Sequence, residues 1–398
     1  MRAHGWVVLA TLVLSVSLAA AQQPGSAPAT APAAGAGEEA GDWFQQYSLF
    51  KEEVKKAHGF EWLLTVNYQA QGIANGPGQG KLKNAFSYDL SLGQKLWSGA
   101  WAWASVDGGS GRGIDPYAET WTGLNADAGE EACVYVNKLF LEQRLFDEKL
   151  VLMGGKLALY DFFDTNAVAN CQNFQFLAGA LVNNPTIPFG DSGIGAIVAV
   201  KPTDWLYAQA GVADAQARAT EMGVNTAFHD EDYAFSIYEF GLTPKFGELQ
   251  GNYRFIYWYD PQDLERFDSG TKRDDMGFAL SFDQQVTEKI TLFCRYGYAH
   301  PEAREIEHFW SVGGELAGPL EGRPDDVWGL GVAQSVSSHD FRRAEGVGPH
   351  ETVFETYYNI KLTDYLYLTP NVQAVLKPGF DRDADVGVAL GVRLVAQL

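Results

Sequence analysis

The chain has 398 residues, with 29 Lys plus Arg against 50 Asp plus Glu, and its formal charge of −21 argues against a nucleic-acid partner. Hydrophobic residues make up 46% and aromatic ones 13%, which excludes disorder over most of the chain. After the first twenty residues no apolar run approaches the roughly 18 residues that cross a bilayer as a helix, so a membrane reading requires strands.

In chain order, Arg2, the apolar stretch 6–18 and Ala19-Ala20-Ala21 read as a secretory signal peptide, segment 1–21. Residues 22–41 are rich in Ala, Pro and Gly without an apolar period, the composition of a tether. Over 42–59, Trp43, Tyr47, Phe50, Val54 and Ala57 recur at helical steps, with Asp42 suited to cap the start and Lys55, Lys56 and Gly59 to end the helix. This helix is expected either inside the domain that follows or beneath it.

From Phe60 the period becomes two, and the alternation predicts strands at 60–71, 84–96, 99–107, 133–146, 148–160, 191–202, 204–215, 233–245, 248–260, 274–286, 288–300, 308–319, 325–337, 351–362, 364–376 and 385–396. Over 249–260, for example, Leu249, Gly251, Tyr253, Phe255, Tyr257 and Tyr259 oppose Gln250, Asn252, Arg254, Ile256, Trp258 and Asp260. Connections alternate between tight turns and long Gly/Asp/Asn/Pro-rich loops, the layout of an outer-membrane barrel with its short turns toward the periplasm. A soluble sandwich also alternates. The even strand count, the short/long rhythm and aromatic residues near the strand ends (Tyr253, Tyr257, Tyr259, Trp310, Tyr365, Tyr367) favour an all-β, antiparallel sixteen-stranded transmembrane barrel over 60–398. Three cysteines cannot all pair within one chain. Cys133 and Cys171 either form a bridge or stay free, and Cys294 sits on an apolar strand face.

Several ordered motifs resemble a known family. Gly41-Asp42-Trp43, residues 49–54 and 59–68, the run Gly155-Lys156-Leu157-Ala158-Leu159-Tyr160-Asp161-Phe162-Phe163-Asp164-Thr165-Asn166, then Asn183-Asn184-Pro185, Gly322-Arg323-Pro324-Asp325-Asp326, Pro370-Asn371-Val372-Gln373 and Gly391-Val392-Arg393-Leu394 are similar to the carbohydrate-selective porins of the OprB family. The resemblance implies a cell outer-membrane barrel that passes monosaccharides and similar small hydrophilic solutes down a gradient, and it allows a homotrimer. The family's usual Gly-Gly-Leu-Arg stretch is replaced here by Phe44-Gln45-Gln46-Tyr47.

A sugar entering a narrow pore must exchange water for wall donors and acceptors, with aromatic faces against its C–H surfaces. Strand phase directs Glu61, Asp89, Glu142, Arg144, Lys156, Glu239, Arg254, Trp258, Arg295, Glu315, Glu355, Asn359 and Lys361 inward. The long connection 161–190, with Asp161, Phe162, Asp164 and Asn166, is expected to fold inward and narrow the channel. Arg254, Arg295 and Glu355 are the leading constriction candidates, Trp258 the stacking face, and bracing a wet lumen the competing role for each. The acidic total favours cations if it reaches the lumen. Asp115, Glu119, Asp127, Glu130, Glu131 and 229–232 are placed in outer loops, where they either solvate the surface or bind divalent cations.

The rivals are an enzyme, a general or cation-preferring porin, and a secreted carbohydrate-binding β-protein. Gly190-Asp191-Ser192-Gly193 is similar to a protease nucleophile loop but opens a predicted strand, and GxSxG, P-loop and HExxH patterns are missing. Neither catalysis, a cofactor nor a metal site is expected.

Overall fold

The structure, a computed structural model, describes residues 43–129, 133–224, 227 and 233–398. The expected signal peptide and tether, the Asp42 cap, Glu130, Glu131 and 229–232 lie outside those residues. Helix α1 spans Trp43–His58. Gly59 at φ +66° then turns the chain into the wall, where an added Cβ would sit 2.7 Å from Lys95 Cβ.

The wall strands are β1 (Phe60–Asn75), β2 (Leu82–Trp97), β3 (Ala100–Ser110), β4 (Cys133–Leu145), β5 (Leu150–Leu157), β6 (Gly193–Thr203), β7 (Leu206–Asp214) and β8 (Ala234–Leu242). They continue with β9 (Leu249–Asp260), β10 (Asp275–Gln285), β11 (Ile290–Ala299), β12 (Ile306–Ala317), β13 (Val327–Ser337), β14 (His350–Lys361), β15 (Leu366–Leu376) and β16 (Gly387–Gln397). Each pairs antiparallel with its chain neighbour, and β1 pairs with β16 from Thr65↔Gln397 to Asn75↔Val388, which closes the sheet into a sixteen-stranded barrel. Closure removes the edges that an open sheet would expose to lipid. Within the outer loops lie the short helices α2 (Asp115–Ala118), α3 (Gly179–Val182) and α4 (His339–Glu345).

Alternation sorts the two faces. In β16, Leu390, Val392 and Leu394 point outward and are exposed to the membrane side, whereas Ala389, Arg393 and Val395 are buried inward. In β1 the inward set is Thr65, Asn67, Gln69 and Gln71. Tyr367 departs from its expected place on the aromatic outer rim. It turns inward and packs edge-on against Phe174, with ring centroids 5.1 Å apart.

The interior is not uniformly wet. Ile237, Ile256, Trp258 and Ala279 of the wall pack with Phe162, Phe163 and Ile187 of the long loop after β5. Farther round, Phe293, Phe309 and Tyr357 pack with Phe176, Ala178 and Leu181 of the same loop. The chain leaves the wall early at Leu157 because this apolar loop sequence is stabilised by burial inside the barrel. Cys133, Cys171 and Cys294 are all free, so of the two expectations for Cys133 and Cys171 the unpaired one holds; Cys294 is exposed on the outer face.

Candidate functional site

The loop that follows β5 folds into the lumen and is tied to the wall through side chains the alternation had directed inward. Asp164, itself at φ +58°, lies at the centre of this seam. Its carboxylate is 3.4 Å from the Arg295 guanidinium and accepts from the Asn184 N–H at 2.7 Å, and its own N–H donates to Glu239 at 3.2 Å. Burial pushes the Asp164 carboxyl up from the usual carboxylate range, opposed by Arg295. Arg295 also donates to the backbone carbonyls of Asp164 (2.9 Å) and Leu181 (3.3 Å). Asn166 donates to Ser281 Oγ at 3.3 Å, while Asp283 accepts from the Ala167 N–H at 3.2 Å and from Arg254 at 2.8 Å. On the far wall Glu355 accepts from the Leu177 and Ala178 N–H groups, the latter at 2.7 Å.

Arg254, Arg295, Glu239, Asp164 and Asn166 therefore come together, with Glu355 apart from them at a second tie, and all six lie at the junction of loop and wall, where they are buried. Trp258 is not a stacking face. It is fully buried against Phe235, with the Arg304 guanidinium 5.8 Å from its ring centroid, because the apolar loop covers that sector of wall. Phe162 is likewise buried, in contact with Phe140.

Lys156 is also misplaced by simple phase. It registers with outward Leu139 and Ile194, and its ammonium donates to the carbonyls of Val136 (2.7 Å), Ala219 and Glu221 (both 2.6 Å). The inward positions of β5 are instead Val151, Met153 and Leu157, which join the apolar interior. The charge is left outside, under the loop that follows β7.

A second loop, after β3, folds inward as well. Asp115 accepts from the Leu124 N–H (2.8 Å) and closes the loop on itself, and burial pushes its carboxyl up. Asp127 accepts from Gln69 (2.6 Å), Asn67 (3.0 Å) and Ser87 (2.5 Å), and burial pushes its carboxyl up to about 6. These two acids do not solvate an outer surface, since each has backbone or wall donors as partners. The two inward loops also bond to each other, Ala126 N–H to the Leu177 carbonyl at 2.8 Å.

Between them the loops cover most of the wall, and half-exposed inward side chains gather on β2–β4: Asp89, Trp101, Trp103, Asp107 and Arg144. The Trp101 and Trp103 rings stack at 5.4 Å and 18°. Trp103 Nε1 donates to Glu142 at 2.9 Å, and Glu142 also pairs with Arg144. Lys138 bridges wall and loop by pairing with Asp161 at 2.7 Å. Neither indole was singled out from the sequence, although positions 101, 103 and 107 share one phase of β3. On the outer-loop side, a cavity of about 480 Å3 is lined by Trp121, Tyr160, Asn183, Phe189, Arg304 and Glu305, among others. Among the described residues no group of His, Cys, Asp and Glu is arranged to hold a metal ion.

Known proteins repeat this plan. The family model described as "Carbohydrate-selective porin, OprB family" matches residues 76–398. Porin AaxA of Chlamydia abortus (strain DSM 27085 / S26/3) is 23% identical over 356 residues, covering 88% of this chain and 73% of that protein. Porin B of Pseudomonas aeruginosa is 23% identical over 192 residues, covering 38% of this chain and 42% of its own. Among solved structures, the high-pH form of Pseudomonas putida OprB shares the fold with a TM-score of 0.79 at 18% identity, covering 89% of this chain and 97% of that one. The low-pH form gives 0.60 at 16% identity, with 91% and 100% covered. A closed barrel narrowed by inward loops is the machinery of a channel in the outer membrane and not of a catalyst, and with the family match over more than three quarters of its length, the chain belongs to the OprB family of carbohydrate-selective porins.

Proposed function

We propose that this porin passes monosaccharides and solutes of similar size, and that the sugar slides along the β2–β4 face of the lumen. The observation that carries this reading is the stacked Trp101–Trp103 pair beside Glu142 and Arg144. Indole faces cover the C–H side of a pyranose while carboxylate and guanidinium exchange hydrogen bonds with its hydroxyls. The outer cavity, lined by the two inward loops, is of a size that admits such a solute. Arg254, Arg295 and Glu355 then act by holding the constriction loop, with Asp164, Asn166 and Glu239 as their partners. In planar bilayers, Trp101→Ala with Trp103→Ala should abolish sugar-dependent block of single-channel current while the channel still opens. Undiminished block would remove the indoles from the path.

A cation preference has its own support. Asp89, Asp107 and Asp161 surround Lys138, Asp127 adds a further carboxylate that repels Asp89, and the Asp107 Oδ1, Asn67 Oδ1 and Gln69 Oε1 acceptors have no protein donor. Such a surplus of acceptors suits ammonium or alkali cations. The reversal potential in a KCl gradient tests it, and an anion-selective value excludes it. Assembly as a homotrimer is part of the proposal by family likeness, and chemical crosslinking in native membranes tests it.

A further inference from the structure

Helix α1 neither plugs the lumen nor hangs free beneath the barrel. Its contacts lie along the rim that carries the short turns: Lys55 pairs with Glu61 at 2.5 Å, on the inward phase of β1, and the aromatic contacts are made to Trp62 and to a turn. Trp62 belongs to the outward phase of β1, since it alternates with Leu63 and Thr65 and registers with Leu92 of β2. Trp62 Nε1 donates to the Tyr47 hydroxyl at 2.7 Å, and the Phe50 ring is 6.0 Å from the indole. At the other end, Trp43 and Phe44 each approach Tyr365, in the turn between β14 and β15, at 4.9 Å. A helix of this length reaches about 24 Å and so runs along the rim from β1, past β16, to that turn.

One edge of the helix remains uncovered. No residue of α1 is fully buried, and Trp43 and Phe50, seven residues apart and hence on one line, are each 54% exposed. That edge adjoins the barrel-facing line of Phe44, Tyr47 and Lys51 and continues the outward wall surface of Leu64 and Val66. Gln45, Glu52 and Lys56 occupy the opposite arc, with the exposed Leu49 at its margin. Lys55 is neutralised by Glu61, whereas Lys51, whose ammonium lies over the Tyr47 and Trp62 rings on the outward wall surface, places positive charge at the level of the lipid phosphates.

We propose that α1 is an interfacial anchor: it lies flat in the inner phospholipid leaflet of the outer membrane, with Trp43 and Phe50 inserted at the acyl boundary and Lys51 among the headgroups. This rests on the barrel being membrane-embedded, but not on which solute it passes. Interfacial helices bind through an apolar face and basic flanks in this manner.

The test uses the full chain in liposomes of phosphatidylethanolamine and phosphatidylglycerol. With Cys133→Ser, Cys171→Ser and Cys294→Ser in place, a nitroxide is attached at Phe50→Cys or at Glu52→Cys. The label at position 50 is expected to collide several-fold more with oxygen than with a water-soluble nickel chelate, and the label at 52 to show the reverse. Equal nickel collision at both positions, or shielding of position 50 from both reagents, overturns the proposal. In parallel, Trp43→Glu with Phe50→Glu should speed proteolysis within 43–58 several-fold in liposomes while leaving single-channel conductance unchanged. Unchanged cleavage also overturns it. A parent protein without conductance would sink the channel reading and leave the anchor standing.

Discussion

Arg295 shows how a residue placed by alternation acquires its role from what it meets. Its guanidinium and the Asp164 carboxylate are both fully buried, so removing one leaves the other as an unpaired buried charge. Arg295→Ala should therefore lower stability by about 3–5 kcal/mol. It should also free the constriction loop, raising single-channel conductance and weakening sugar block in the same bilayer recording. Asp127 offers a pH test. Its carboxyl is held up near 6, above the value of an unfolded chain, so the folded protein binds the extra proton. Stability on this account rises as pH falls through about 6 and is lost as pH rises past it, because the penalty attaches to the charged form. Cation selectivity should move the other way, falling as Asp127 is neutralised. Reversal potentials from pH 5 to pH 8 check this, and Asp127→Asn should flatten the profile (window set by the raised carboxyl).

Among elements, the inward loop after β5 is built like a small core rather than like a surface loop. Leu181 is completely buried against the wall, and Leu181→Ala should cost about 2–5 kcal/mol, read as a lower transition in heat-modifiable gel mobility. The wall in turn is shaped to receive the loop. At Gly297 of β11 an added Cβ would overlap Thr186 and Asn184, which bonds the Tyr296 carbonyl at 3.1 Å. Gly297→Val should therefore push the loop off the wall and increase the conductance without unfolding the barrel. Unaltered conductance and sugar block in that variant would show that the loop tolerates displacement at this point.

For the whole molecule, the division between lipid-facing and inward surfaces governs stability and transport separately. Leu390 is outward and 52% exposed in β16, and Leu390→Arg should destabilise the bilayer-inserted barrel by about 2–4 kcal/mol if it lies near mid-membrane. Trp101→Ala, on the inward face, should leave the unfolding transition near its parent value and alter only sugar block. Urea titration of protein folded into liposomes separates the two outcomes.

The strands, their tilt of hydrophobicity to one face and the rhythm of turn and loop follow from a two-residue period, a local property that needs no knowledge of distant contacts. Hence Arg254, Arg295 and Glu355 were legible as inward, as was the inward fold of the loop 161–190, whereas the loop after β3, read as an outer one, also turns inward. What tertiary structure decided is which inward residues still meet water. Phe176 and Leu181 reach wall positions more than a hundred residues away in the chain, Phe162 packs on Phe140, and by covering the wall the loop turns Trp258 into core and charged residues into loop anchors. The same covering leaves Trp101 and Trp103 on the half-exposed sector. Lys156 is the reverse case. The local pattern of β5 sets apolar residues inward because another part of the chain is there to receive them, and the lysine's charge is met outside by carbonyls of a loop sixty residues on. Alternation assigns a face, but only the packed loops determine whether that face is wet.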